Sequence, residues 1–355
     1  MTSNTENKIR LGITIGDING VGLEVIIKTF MDDRIFDFCT PIVYGSSKIA
    51  SYHCNALNIE DFSFNIIKSP KEANSKKANL INCWQDEVKV QLGQSSEFSG
   101  KYALRSLDVA INDLKKGDLQ ALVTAPINKN SINQFKSDFK GHTDYIKKEF
   151  NASDCLMFMI SEHLKIGMVT VHEAVKDISE ILSTTKILSK LQIMNRSLKQ
   201  DFGIEKPKIA VLGLNPHAGE EGTIGNEEEN VITPAINQAK AENILAFGPY
   251  SADGFFGSGN FSNFDGVLAM YHDQALIPFK YMNFGSGVNY TAGLSIIRTS
   301  PDHGTGYDLA GKNVASEESF REAVYAACDI YRSRNNFKKA SGNALQPKVV
   351  EQVAG

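Results

Sequence analysis

Lys208-Ile209-Ala210-Val211-Leu212-Gly213-Leu214-Asn215-Pro216-His217 carries an apolar run straight into a turn that ends on a histidine. The run from Ile209 to Leu214 has the length of a strand, and no polar residue alternates within it. A strand of that kind is expected to be buried on both faces. The pattern recurs at Leu11 to Ile15, Ile42 to Tyr44, Ala121 to Thr124, Ile166 to Val171 and Gly266 to Met270. Between these runs lie helical patterns. Leu104, Leu107, Ile111 and Leu114 follow a spacing of three and four and predict one apolar helix face. Asp177 to Gln200, Glu227 to Glu242 and Glu317 to Arg332 also read as helical. Strands alternating with helices predict an α/β protein with a mainly parallel sheet.

The chain has 355 residues, and at roughly 150 residues per domain two domains are expected. Hydrophobic residues at 42% and charged residues at 22% are ordinary for a soluble protein, so a large core needs no staples. The net charge of −4 gives no reason to expect nucleic acid, and any positive field for an anionic substrate must be local. Cys39, Cys54, Cys83, Cys155 and Cys328 form no CxxC pair, which fits a reduced, cytoplasmic setting. Met1 to Lys8 is polar and lacks the apolar stretch of a signal peptide. No run reaches the roughly 18 uninterrupted apolar residues of a membrane span. Ser69 to Asn79 reads as a surface loop, and the tail after Asn335 as frayed. Domain boundaries are poorly marked, which predicts a chain that crosses between lobes with a cleft between them.

Ligands of open α/β sheets bind beyond the carboxyl ends of strands, and several strand ends here are polar. Thr14-Ile15-Gly16-Asp17-Ile18-Asn19-Gly20-Val21-Gly22 is a strand, a glycine-rich turn and a helix start. Its glycines would serve either close approach to a ligand or a tight turn. It is not the GxGxxG dinucleotide fingerprint, and no good match to that occurs elsewhere. Thr124-Ala125-Pro126-Ile127-Asn128-Lys129, followed by Gly141-His142-Thr143-Asp144, would orient a small polar substrate or simply cap a helix at Thr143 or Asp144. Three histidines, His172, His217 and His272, each follow an apolar strand. If those strands share one sheet region, the imidazoles would converge on a divalent ion; otherwise each is a hydrogen-bonded structural group. His53 and His163 read as solvated, and His303 lies in a turn that would face the cleft. Lys280 and Arg298 bracket Gly285-Ser286-Gly287-Val288-Asn289. With a glycine-rich loop they would bind a phosphate or carboxylate, or else they are surface cations.

These clusters carry a resemblance. Gly213-Leu214-Asn215-Pro216-His217-Ala218-Gly219-Glu220 with Gly225-Asn226-Glu227-Glu228 resembles GLNPHAGE…G.EE of the 4-hydroxythreonine-4-phosphate dehydrogenases of pyridoxal phosphate biosynthesis. Tyr271-His272-Asp273-Gln274 resembles the family's YHDQ. Arg298-Thr299-Ser300-Pro301-Asp302-His303-Gly304-Thr305 to Gly311 resembles RTS.DHGT..D.AG, and residues 124–129 and 141–143 resemble TAPI.K and GHT. The matches keep the family's order from about residue 9 to residue 315.

The resemblance implies two α/β/α lobes around a cleft, as in isocitrate and isopropylmalate dehydrogenases. Residues 1–140 with 303–355 would form the first lobe. Residues 141–302 would form the second, with the metal histidines and the dimer interface. It implies a homodimer whose metal site uses both subunits, with His172, His217 and His272 as ligands. The ion would be zinc, cobalt, magnesium or manganese. Substrate contacts fall on His142, Thr143, Lys280, Asn289 and Arg298. NAD or NADP would lie beside Asn289, Gly293 and Leu294, with Gly225 and Glu227 as second contacts. Lys280 and His272 would be the catalytic groups. The implied reaction is oxidation and decarboxylation of 4-phosphohydroxy-L-threonine to 3-amino-2-oxopropyl phosphate. Three stretches depart from the family pattern: Asp17-Ile18-Asn19 for Glu/Asp-Pro-Ala, Ala275 for Gly, and Ala292-Gly293-Leu294-Ser295 for Leu-Gly-Leu-Pro. The rival readings are a paralogous dehydrogenase of a phosphorylated threonate or erythronate, a three-histidine hydrolase or lyase, and a phosphometabolite-binding protein.

Overall fold

Every apolar run read as a strand becomes one, and all lie in a single sheet. The structure, a computed structural model, describes residues 8–283 and 285–342. Its strands are β1 (Ile9–Thr14), β2 (Cys39–Gly45), β3 (Asn65–Ile67), β4 (Asn79–Asn82), β5 (Ala121–Thr124), β6 (Leu156–Ile160), β7 (Lys165–Met168), β8 (Lys208–Leu212), β9 (Leu245–Tyr250), β10 (Gly266–Ala269), β11 (Val288–Ala292) and β12 (Arg298–Pro301). The helices are α1 (Gly22–Phe30), α2 (Ser47–Ala56), α3 (Glu97–Lys115), α4 (Lys129–Phe135), α5 (His142–Glu149), α6 (Ile178–Ile181), α7 (Thr184–Gln200), α8 (Thr233–Ala241), α9 (Ala252–Gly257), α10 (His272–Met282) and α11 (Glu318–Gly342).

The strand order is β3-β4-β2-β1-β5-β12-β11-β6-β7-β10-β8-β9. Pairings are parallel except those of β11 with β12 and β6, and of β6 with β7. The last two strands therefore close the middle of the sheet, between β5 and β6. Consecutive residues of β5 point to opposite faces, as a strand requires. Val123 packs with Leu11, Val25, Phe320 and Val324 on one side. Leu122 packs with Ile42, Leu104, Leu107 and Ile111 on the other. The spaced leucines and isoleucine of α3 thus form the predicted face. Each such side chain contributes roughly 1.5–3 kcal/mol on burial. Among the described residues no helix is long and apolar enough to cross a membrane.

Several expectations need correction. Where the sequence predicts a glycine-rich loop through Asn289, that residue sits inside β11, paired with Ser300 and Met159. Neighbouring strands satisfy its backbone on both sides, which the local Gly-Ser-Gly pattern does not reveal. The tail is helical through Gly342, because Arg334 of α11 is buried against Asp201. Residues 343–355 and 1–7 lie outside the described residues. His53 is buried, not solvated, and its Nε2 donates to the Ile18 carbonyl at 2.9 Å; burial holds its imidazole below the ordinary range. The 16–22 turn is a structural one. Gly16 has φ +67°, and a Cβ there would stand 2.2 Å from the Pro126 carbonyl oxygen. Asp17 and Asn19 are buried within it. Ser99 and Tyr307 donate to Asp17, while Asn19 holds Gln91, Gln94 and Ser96.

One buried network ties the halves of the chain. Asp201 accepts from Arg334 Nε at 2.6 Å, Tyr290 OH at 2.6 Å and Ser197 Oγ at 2.7 Å. It joins the end of α7 to β11 and α11. Asp201→Ala would strand a buried guanidinium, and a loss of about 3–5 kcal/mol is expected. Denaturant unfolding measures it, and a loss below ~1 kcal/mol would show that the network is dispensable.

Candidate active site

Arg298 opens β12 and is only 4% exposed. Its Nε and one terminal nitrogen donate to Thr124 Oγ1 at 3.0 and 2.7 Å, and the other donates to Thr291 Oγ1 at 3.3 Å. No carboxylate pairs with it among the described residues. Burial alone pulls the guanidinium down to about 10. A buried cation held only by hydroxyls is costly, and an incoming anion offsets that cost. The reading of Arg298 as a surface cation is thereby excluded.

Two further polar groups are buried and unsatisfied. The Oδ1 of Asn289 and the Nε2 of His142 are both sealed from solvent without a hydrogen-bond partner among the described residues. His142 is the first residue of α5, whose N-cap is Gly141 at φ 137°, so neither Thr143 nor Asp144 caps the helix. Burial, then the charges of Arg298 and Lys129, hold the His142 imidazole well below its ordinary 6.5. It is neutral at pH 7 and keeps one ring nitrogen free to donate or accept.

Thr143 lines a cleft of about 760 Å³ with Lys129, His172, Asp144, Lys186 and Lys190. Lys129 Nζ stands 3.4 Å from His172 Nε2. Burial, then Lys129 and His272, lower the His172 imidazole. Thr124 and Lys129 belong to the run that was offered as orienting a substrate, whereas Thr291, beside Arg298, was not singled out in the sequence. Its signal is visible only once Arg298 is placed. Lys280 is exposed on α10, with Nζ 3.4 Å from Asp302 Oδ1. Burial pushes the Asp302 carboxyl up against the pull of Lys280. Both line a second pocket, about 280 Å³, with His303, Gly304 and the apolar Val21 and Leu309. His303 does face a pocket, as its turn suggested.

The proposed cofactor residues are spread out. Asn289 lies near the start of β11, and Gly293 turns the chain beyond its other end. Leu294 is buried in the core with Ile42 and Leu104. Glu227 accepts from Asn215 Nδ2 at 2.7 Å and from Ser179 Oγ, and these bonds lower its carboxyl. Gly225, at φ +144°, lies against the same Asn215 amide.

The three strands that precede the histidines, β7, β10 and β8, are adjacent and parallel. Their carboxyl ends therefore share one edge of the sheet. His272 opens α10, its Nδ1 2.7 Å from Asp273 Oδ1. His217 is exposed on a turn. The donor chemistry suits a divalent ion, with His172 held neutral. Yet among the described residues no group of three or more His, Cys, Asp or Glu side chains is spaced to hold one. One chain supplies donors of the right kind without gathering them.

The sequence profile of the family described as pyridoxal phosphate biosynthetic protein PdxA matches residues 37–327. The chain belongs to the PdxA family. It is 49% identical over 348 residues to a 4-hydroxythreonine-4-phosphate dehydrogenase of Bacteroides thetaiotaomicron, covering 98% of this chain and 95% of that one. It is 40% identical to the enzyme of the same name from Sulfurihydrogenibium, covering 92% and 99%. A crystal structure of 4-hydroxythreonine-4-phosphate dehydrogenase from Klebsiella pneumoniae superposes with TM-score 0.80 at 30% identity, covering 91% of this chain and 100% of that one. Isocitrate dehydrogenase from Methylococcus capsulatus, at TM-score 0.51 and 9% identity over 94% and 89%, shares the fold alone. The PdxA fold is thus of the isocitrate dehydrogenase type.

Two outcomes are expected. Arg298→Met replaces an unpaired buried charge by an apolar chain of similar length. It should raise the thermal midpoint of the ligand-free protein and abolish stabilisation by inorganic phosphate. A lower midpoint would show that the hydroxyl bonds repay the burial. His142 is depressed when folded, so the unfolded chain binds more protons below 6.5. Stability is then present above that pH and lost as pH falls. His142→Gln should flatten that loss between pH 7 and about pH 5 in denaturant melts; an unchanged slope would clear His142 of the effect.

Proposed function

We propose that the chain oxidises and decarboxylates 4-phosphohydroxy-L-threonine to 3-amino-2-oxopropyl phosphate, with NAD or NADP as acceptor and a divalent ion as helper. The buried Arg298 with no carboxylate partner carries this reading, because it calls for an anionic substrate. The names of the relatives support the particular anion.

In this reading Arg298 holds one anionic end of the substrate. Asn289 and the neutral His142 supply the further hydrogen bonds, and Thr143 closes the cleft side. Fixing both ends of a small substrate is a large share of catalysis. Lys280, whose Nζ stands beside the half-buried Asp302, would assist proton transfer or bind an anionic group. The pocket beside Lys280, with Val21 and Leu309 as apolar walls, suits an aromatic ring, and the resemblance adds Asn289, Gly293, Leu294, Gly225 and Glu227 as cofactor contacts. A nicotinamide, when bound, takes the hydride. His172, His217 and His272 would hold the ion, which when bound supplies Lewis-acid polarisation of a substrate oxygen. Since one chain does not gather the three, we place the complete site between two copies of the chain, in a homodimer acting in the cytoplasm. Residues 1–140 with the return after 302 form one lobe and 141–302 the other; the order of the strands, β1 to β5 on one side and β6 to β10 on the other, supports the division.

The test is NADH absorbance with 4-phosphohydroxy-L-threonine, before and after chelation and re-addition of zinc, cobalt, magnesium or manganese. Ion-dependent growth of absorbance with release of CO2 is expected. NADH formed only from phosphorylated threonate or erythronate would transfer the site to that substrate class. No NADH from any of them would overturn the dehydrogenase reading.

A further inference from the structure

The turn after β8 keeps a left-handed backbone at every residue from His217 to Gly222, with φ of 53, 51, 83, 44, 53 and 85°. His217, Ala218, Glu220 and Glu221 carry side chains, which disfavour this region. Such a run persists only where its surroundings impose it. Glu228 imposes it. The residue is 3% exposed and opens the helical turn Glu228–Ile232. Its Oε1 accepts from the backbone N–H groups of Leu214 at 2.7 Å and Asn215 at 2.8 Å, and its Oε2 accepts from Asn215 Nδ2 at 2.9 Å. The carboxylate is wedged between the two ends of the turn. A Cβ on Gly213 would stand 3.0 Å from Oε1, and one on Gly219 would stand 2.7 Å from Oε2. Any larger residue at either place would push the carboxylate aside.

Gln274 fastens this turn to its neighbour. Its Oε1 accepts from Met270 N at 2.7 Å, and its Nε2 donates to the Gly213 carbonyl at 2.6 Å. Met270 directly follows the strand that leads into His272, and Gly213 directly follows the one that leads into His217. The two histidine turns are thus mounted on one hydrogen-bonded frame.

We infer that Glu228 and Gln274 are positioning residues: they preset the exposed His217 imidazole relative to His272, so that the ion site needs no reordering when a second copy completes it. The inference rests on the reading of these histidines as ion ligands. It gives Glu228 a role inside the chain, where it acts on the ion through His217 alone.

The experiment is a Co(II) titration of the chelated full-length protein, followed by the visible absorption of the bound ion, with hydrogen exchange of residues 214–222 in the ion-free state. His217→Ala, Glu228→Gln and Gln274→Glu are compared with the parent. Glu228→Gln keeps the size but sets an amide –NH2 against Asn215 Nδ2. Gln274→Glu keeps the bond to Met270 and loses the donor to Gly213. Both should weaken Co(II) binding roughly 10–100-fold and speed exchange in the turn, with little change in melting temperature. If Glu228→Gln does not fold, Gln274→Glu alone decides. If His217→Ala binds Co(II) like the parent, the ligand reading fails and takes this inference with it. If His217→Ala loses the ion while the other two bind and exchange like the parent, the positioning role alone is overturned.

Discussion

A guanidinium with no carboxylate partner among the described residues, buried where the two halves of the sheet meet, is the constraint on which the rest of this structure depends. Arg298 costs folding energy that Thr124 and Thr291 offset only in part, since neutral hydroxyls are weaker partners than a carboxylate. The chain keeps it there by closing the sheet around it. β12 lies parallel to β5 on one side, and β11 lies antiparallel on the other. Both come from the late part of the sequence, so the arginine is placed only when the chain returns to the middle. The Asp201–Arg334–Tyr290 network then locks that return from behind. Arg298 and Arg334 are a useful contrast. Both are buried on or beside the central strands. Arg334 meets a carboxylate, whereas Arg298 meets none among the described residues and is held by hydroxyls alone.

The same logic separates the glycine-rich turns. The turn from Gly16 to Gly22 is filled from within, with every residue buried and Asp17 and Asn19 bonded to other segments. It departs from the family pattern at Asp17-Ile18-Asn19, and those residues hold loops together. The turn after β8 is strained, exposed at His217, and braced from inside by Glu228. The first turn is thus closed on itself, whereas the second leaves a side chain free at its surface.

Much of this was legible in the sequence. Buried strands announce themselves by unbroken apolar runs, and α3 by its spacing. β11 and β12 were not legible, because Gly-Ser-Gly-Val-Asn and Arg-Thr-Ser-Pro carry the chemistry of turns and sites. Their strand conformation comes from neighbours more than a hundred residues away, such as β5 and β6. His53 misled for a similar reason. Its polar surroundings in sequence are one exposed helix face, while its own side chain meets the Ile18 carbonyl. The histidines after β7, β8 and β10 were legible as strand-end residues. The hydrogen bonds of Glu228 and Gln274 beside the turns after β8 and β10 were not, since neither residue carries a local signal.

That difference has a physical origin worth following. A strand is specified by its own residues and by burial, which is local in character and roughly additive. A site is specified by the mutual placement of a few polar groups, and each is set by hydrogen bonds reaching across the fold. Gln274 is the clearest case. Its neighbours in sequence make it one more polar residue at a helix start, yet its two bonds join strand ends that lie 57 residues apart, Gly213 and Met270. It is the one side chain that bonds to the backbone just beyond both β8 and β10 among the described residues. The placement of such strand-end groups is therefore set mainly by hydrogen bonds that reach across the fold.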